Sequence, residues 1–538
     1  MRILRRTLVP VSVVMALTAG IFAQNPLSKP DTTPIVPQIP KADRYQSGKV
    51  FLEQADSLVV DPSDPNVQIV VGNVVFRQGD MLMYCDSARF YTSPTMTSDS
   101  MQAFGNIRME QGDTLSLIGG DEMEYSGSQE LATIWAESGR VVTLRNRDVT
   151  LMAPVVNYSM QYELGYYDEG GTLIDSNNRL TSQYGEYAPP TKDANFYDDV
   201  RLVGVSNQGD TVRVFSSVLQ YNTVSRVAEL TAPSTIVGKD GDIITSNGVF
   251  NTADNTAMLL ERSVVHTKDG STLTGDSLFY DRSQGFGEAF GNMVLEDSVQ
   301  RVTLMGDYGY YNEVTDSAYC TGNALAKEYG SAVDTLYLHG KTIRTLMLAD
   351  STRLMIANPG VRFWRKDMQG VCDSLTYVGA DSTIHMNYDP VVWSDNRQVF
   401  GNKIVVHMND STVERAELPD FAFVAEEVEA PYFNQLAGRE MIAYFTDGSL
   451  TQLDVNGNVQ AVMLPQESDS TYNKVANIES SFLRAFFKGQ ELESAKLWNE
   501  STGSITPLYL AKKSILRLPT FKWMADLRPK GPDDLIKD

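Results

Sequence analysis

The chain has 538 residues, a formal charge of −23, and 42% hydrophobic and 21% charged residues. That acidity argues against nucleic acid or an anionic membrane as an electrostatic partner, and three cysteines are too few for a disulfide scaffold. By length alone the chain holds about three or four domains, a count that a stack of repeats escapes because each unit needs only its neighbours for burial.

Arg2, Arg5 and Arg6 precede an apolar stretch from Leu8 to Phe22, and Ala23 follows as a small residue suited to cleavage. This pattern predicts a secretory signal peptide over residues 1–23, too short for a comfortable membrane span. Pro26, Pro30, Pro34, Pro37 and Pro40 make residues 24–44 an extended, disordered leader.

From about residue 45 a short phrase recurs. It reads Gly72-Asn73-Val74-Val75-Phe76, then Gly105-Asn106-Ile107-Arg108-Met109, Gly291-Asn292-Met293-Val294-Leu295, Gly322-Asn323-Ala324 and Gly457-Asn458-Val459. Weaker copies are Gly139-Arg140-Val141, Asp199-Val200-Arg201-Leu202, Gly360-Val361-Arg362-Phe363 and Asp389-Pro390-Val391-Val392-Trp393. We read the phrase as a strand with alternating apolar residues. A polar turn follows, often Gly-Asp (Gly79-Asp80, Gly112-Asp113, Gly209-Asp210, Gly241-Asp242), which suits tight antiparallel hairpins. A second strand then ends in an aromatic, and Phe90, Tyr125, Tyr158, Tyr187, Tyr221, Phe250, Tyr280, Tyr311, Tyr377 and Tyr444 fall at unit-like spacing. About a dozen such hairpins predict an all-β, elongated, open-ended antiparallel stack. We divide it into residues 45–200 and a continuation over 201–507. Pro189-Pro190 marks a candidate hinge.

Residues 508–538 carry Lys512, Lys513, Arg517, Lys522, Arg528 and Lys530 among Leu518, Phe521 and Trp523. We expect this basic tail to cap the last layer, with membrane contact or partner docking as alternatives. Cys85 and Cys372 occupy matching places in distant repeats and cannot pair, so all three cysteines are expected to be buried thiols.

No catalytic constellation is present. The four histidines (His266, His339, His385, His407) lack metal-ligand spacing, and no Gly-x-Ser-x-Gly elbow or Walker loop occurs. We therefore expect no enzyme, no cofactor and no metal. The recurring apolar pairs admit two readings: a filled core, or walls splayed around an oily trough suited to acyl chains, whose burial is worth ~0.8 kcal/mol per CH₂.

The run Ala55-Asp56-Ser57-Leu58, Gly72-Asn73-Val74, Tyr84-Cys85-Asp86-Ser87-Ala88, Gly105-Asn106-Ile107, Gly112-Asp113-Thr114-Leu115 and Gly120-Asp121 to Tyr125 resembles the OstA-like proteins. These are relatives of the periplasmic lipopolysaccharide-transport protein LptA and of the N-terminal domain of the outer-membrane assembly protein LptD. The resemblance implies a β-jellyroll (β-taco) of stacked V-shaped strands. It also implies a periplasmic location near the outer membrane, lipopolysaccharide or a related glycolipid as ligand, and transport proteins as partners through edge strands. It brings no catalytic residues. The interior apolar contacts would be Val74, Phe76, Ile107, Met109, Met293, Leu295, Val361, Phe363, Val391 and Trp393. A surface β-repeat structural protein or adhesin, and a carbohydrate-active β-solenoid enzyme, are the alternatives.

Overall fold

The computed structural model describes residues 50–91, 99–329, 335–409, 412–467, 471–489 and 491–536. The expected signal peptide and leader lie outside the described residues. The described residues form one antiparallel sheet of 46 strands.

Long strands such as Val67–Gln78, Met81–Tyr91, Ser100–Gln111 and Leu115–Ser126 bend in the middle and lie in two walls at once. Elsewhere the bend interrupts the strand and the two arms are separate, as in Leu131–Trp135 and Val142–Asn146. Both cases obey one rule. One arm pairs along wall A and the other along wall B: residues 122–126 pair with Leu131–Trp135, and residues 115–118 with Val142–Asn146. The sheet is thus a zigzag of V-shaped strands whose bends form a vertex and whose hairpins form two rims. Each wall is about 28 strands deep, and at ~4.8 Å per strand the ribbon is on the order of 130 Å long.

The Gly-Asn phrase is the vertex, which corrects its reading as plain strand. Val71 faces Ser87 and Val74 faces Cys85, so Gly72 and Asn73 together oppose the single residue Asp86. This is a two-against-one bulge, the standard way to bend a paired strand. Both bulge residues are left-handed: φ is 80° at Gly72 and 45° at Asn73, and Gly105-Asn106, Gly291-Asn292, Gly322-Asn323 and Gly457-Asn458 repeat this. Glycine and asparagine reach that region most cheaply. An aspartate on the preceding V clips four of these five bends, while at Gly457-Asn458 that place is taken by Arg439, whose N–H donates to Gly457 O. The Asp276 N–H donates to Gly291 O (2.9 Å), and Asn292 Nδ2 donates to Asp276 Oδ2 (2.7 Å). Asp56 with Asn73, Asp86 with Asn106 and Asp307 with Asn323 make the same side-chain bond. A Cβ on Gly291 would sit 2.6 Å from Asp276 Oδ2, so space as well as φ selects glycine.

Gly79-Asp80, Gly112-Asp113 and Gly209-Asp210 lie in rim hairpins as expected, whereas Gly241-Asp242 opens strand Gly241–Thr245 and the turn there is Lys239-Asp240. The ladder runs unbroken through residue 200, inside strand Asp193–Val205, and Pro189-Pro190 occupies a rim turn in an intact ladder.

The basic tail does not cover the last V. Residues 508–536 run back along the outer face of wall B, held on every second strand by a side-chain amide. Asn477 Nδ2 donates to Ile515 O, and Gln435 Nε2 to Leu516 O, both at 2.8 Å. Gln435 Oε1 accepts the Leu518 N–H, while Gln398 donates to Lys522 O and accepts the Met524 N–H. Gln369 Oε1 accepts Arg528 Nε at 2.7 Å. Asn477, Gln435 and Gln398 take the place of a missing strand partner for the tail backbone, whereas Gln369 holds a tail side chain. Leu518, Phe521, Trp523 and Met524 pack on Val391, Trp393, Phe400 and Phe423.

Candidate functional site

The space between the walls is the candidate site, and two differently built stretches make it up. Up to about residue 318 it is filled. Side chains near the mouth on wall A alternate large and small in directly opposed pairs: Tyr125 with Ala132, Tyr158 with Gly165, Tyr187 with Ala194 and Tyr221 with Ala228. Phe250 with Ala257, Tyr280 with Gly287 and Tyr311 with Ala318 continue the pattern. Opposed residues share a face, so each ring has a small neighbour to lie over.

The ring tips then bridge the mouth. Tyr125 donates to Gln78, Tyr158 to Gln111 (3.2 Å), Tyr187 to Asn146 (3.2 Å), Tyr221 to Asp175 (2.5 Å) and Tyr311 to Asp269 (2.9 Å). Every acceptor sits at the rim of wall B. Arg282 adds a cationic tie to the Ile236 and Gly241 carbonyls, both at 3.0 Å. Burial pushes the Tyr187 phenol up to about 12. Burial also raises Tyr125, Tyr221 and Tyr311, with the neighbouring carboxylates Asp175 and Asp269 adding to the rise at the last two.

The pattern stops after Ala318. At the next comparable hairpin Tyr377 faces Ile384, a bulky β-branched residue, and no tyrosine–amide latch spans the mouth beyond it among the described residues. Met355, Ile384, Val406 and Leu453 on wall A are only half-buried, as are Met368, Val392, Val399, Val424 and Leu436 on wall B. The register runs Met355–Tyr377–Ile384–Val406 along one wall and Val392–Val399–Val424–Leu436 along the other. From about residue 343 to 455 the mouth therefore exposes a continuous apolar strip on each side. Residues nearer the vertex, such as Leu375, Met386, Ile404 and Met441, stay buried.

Eight of the ten expected interior residues are interior. Val74, Phe76, Ile107, Met109, Met293, Leu295, Val361 and Phe363 belong to one continuous core and are at most 6% exposed. There they fill the space rather than line an open trough. Val391 and Trp393 are corrections. Val391 pairs with Val371, which in turn pairs with Arg362, and Val392 pairs with Gly370, which pairs with Phe363, so Val392 shares the inner face with Phe363. Val391 and Trp393 point outward under the tail. The left-handed pair at that vertex is Tyr388-Asp389 (φ 63° and 54°). Aligning Asp389-Pro390 with Gly-Asn slipped the frame by one residue, which flips every side chain. Sequence reasoning missed the half-buried strip altogether. Its available signal was the small residue seven places after each aromatic, lost at Tyr377.

Cys85, Cys320 and Cys372 are buried free thiols, each pushed up to about 12 by burial. No group of three or more His, Cys, Asp or Glu side chains is placed to hold a metal among the described residues. No helix among them is long and apolar enough to cross a membrane.

No curated protein matches the chain. The family model described as OstA-like protein matches residues 47–206 and 247–344, two segments that take in six of the seven large–small pairs (Tyr221 with Ala228 lies between them) and end where the open mouth begins. The OstA-like family is a transport and binding family related to lipopolysaccharide transport. By this match, between residues 47 and 344, the chain belongs to the OstA-like family.

Proposed function

We propose that this protein is a periplasmic, non-catalytic bridge or scaffold in lipopolysaccharide transport and outer-membrane assembly, and that it shelters acyl chains at the open mouth of residues 343–455. The half-buried strip carries this reading. The backbone of both walls is consumed in the sheet ladders, so a peptide entering the mouth would leave its own N–H and C=O groups unsatisfied. An alkyl chain has no such groups, and each CH₂ it buries contributes ~0.8 kcal/mol. The latched stretch then serves as a rigid spacer. The terminal Vs support end-to-end assembly. Strands Phe51–Gln54 and Ser57–Val60 carry exposed Phe51, Leu58, Val59 and Val60, and at the other end Trp498 and Ile505 are exposed. Unpaired edges of this kind accept a strand from a partner.

The test is photo-crosslinking in cells from positions Ile384 and Val424 in the open stretch and Ile236 in the latched one. Lipopolysaccharide captured at Ile384 and Val424 and absent at Ile236 supports the reading. Capture at Ile236 alone, or of protein only at all three, overturns it.

A further inference from the structure

A feature of the tail goes beyond acyl binding. Where the tail crosses the rim of wall B it encloses a cleft of about 350 Å³, lined by Trp364, Lys366 and Gln369 from the wall and by Arg528 and Lys530 from the tail. Three cations around one cleft stand out on a chain of charge −23. None of the three has a carboxylate within ion-pair distance among the described residues. Asp367 is engaged by Arg365 at 2.6 Å, and Asp534 lies 3.9 Å from Arg362 and accepts the Lys530 backbone N–H at 3.1 Å. Arg528 is held rigidly, since its Nε donates to Gln369 and its Nη1 to Asp395 O, both at 2.7 Å, and this leaves Nη2 to spare. The cleft exists only because the tail is docked.

Its position ties it to the mouth. In strand Val361–Arg365, Phe363 points into the interior while Trp364 points into the cleft, and Met368 across the rim turn is one of the half-buried residues of the open strip. Cations on one side of a rim and an apolar strip on the other match an amphiphile with an anionic head. Fixed guanidinium and ammonium donors are the usual phosphate ligands.

We propose that this tail-completed cleft binds a phosphate-type anion, the head group of an amphiphile whose chains lie in the open mouth. The anion site stands on the cleft alone; only the lipid source of the anion rests on the acyl-binding reading above.

The test uses the full chain and three probes: dihexanoyl phosphatidic acid, dihexanoyl phosphatidylcholine and inorganic phosphate, each followed by calorimetry. The double variant Lys366→Glu with Lys530→Glu changes two exposed side chains that make no docking contact, and unchanged Trp523 fluorescence reports that the tail stays in place. We expect the phosphatidic acid to bind at least tenfold more tightly than the phosphatidylcholine, and the double variant to lose that preference while keeping phosphatidylcholine affinity. Equal affinities in the parent, or a preference that survives in the variant, overturns the proposal. Inorganic phosphate that binds as well as phosphatidic acid and is lost in the variant keeps the cleft and makes its ligand a free anion. Failure of either lipid to bind alongside charge-sensitive phosphate binding sinks the acyl reading and leaves the cleft standing.

Discussion

Residues 67–318 and 343–455 use the same V-shaped strand, a bent vertex and rim hairpins, yet only the first stretch shuts its mouth. The difference lies in one position per hairpin. Tyr187 over Ala194 has room to reach Asn146 on the opposite wall, whereas Tyr377 opposite Ile384 has no such gap to lie in. A binding groove in this architecture is thus made by withholding a latch, with the backbone plan left intact. The open stretch is also the one whose wall is apolar on both faces, Val392 and Val424 inside and Trp393 and Phe423 outside, and the tail covers the outer face.

The largest expected effect comes from placing charge in each stretch. Phe76→Arg buries a guanidinium at a fully enclosed position and should cost more than ~4 kcal/mol, unfolding the N-terminal Vs. Val424→Arg, at a half-buried mouth position, should cost under ~1.5 kcal/mol because the long side chain can snorkel outward. Urea unfolding followed by region-resolved hydrogen exchange checks both, and equal costs would erase the distinction between the stretches.

Next comes the vertex, which both stretches need. Gly291→Ala meets both a φ of 70° and the Asp276 carboxylate, and should destabilise by more than ~1 kcal/mol. Asn292→Ala loses only the clip to Asp276, ~1 kcal/mol. Thermal melts of the two variants should fall in that order.

The latches should also impose an alkaline limit. Tyr187 is held protonated up to about 12 in the folded protein, against ~10 for a free phenol. Its folded pKa lies above the unfolded one, so its contribution is complete below pH ~10 and is lost as pH rises toward 12. Tyr125, Tyr221 and Tyr311 shift the same way. Hydrogen exchange between pH 9 and 11.5 should show protection failing in the latched stretch while the open stretch changes little. Loss of protection in the open stretch first would contradict this.

The smallest effect sharpens the comparison most. Ile384→Ala gives Tyr377 the small partner found at the seven large–small pairs. It should cost at most ~1.5 kcal/mol at a half-buried site, and it should lower lipid capture at Val424 by partly closing the mouth. Undiminished capture would mean that the small partner does not govern closure.

Much of this was readable in the residues. Strand periodicity, Gly-Asp hairpins and unit-spaced aromatics give the antiparallel stack, because each is a local signal. The Gly-Asn phrase was visible but misassigned, since a bend inside a paired strand has the same apolar flanks as a strand start. The slip at Asp389 followed from it: without knowing that Tyr388 is left-handed, the frame of Val391 and Trp393 cannot be set. The tail's place was not legible, because Gln369, Gln398 and Gln435 lie far from residues 516–528 in sequence and an outward glutamine on a strand looks like ordinary solvated surface. The latches were half legible. Tyrosine spacing shows them, but the acceptors lie 41–47 residues away on the other wall.

The vertex bulge constrains how such a chain changes length in evolution. A bend with two left-handed residues, as at Gly72-Asn73, sits beside a bend made at the single residue Asp86, which is not left-handed, so neighbouring Vs are of unlike kinds. Gaining or deleting one V would set like beside like and break the clip. Descendants of such a ribbon should therefore differ by whole pairs of Vs, in steps of ~10 Å, a quantised ruler for whatever gap the protein spans.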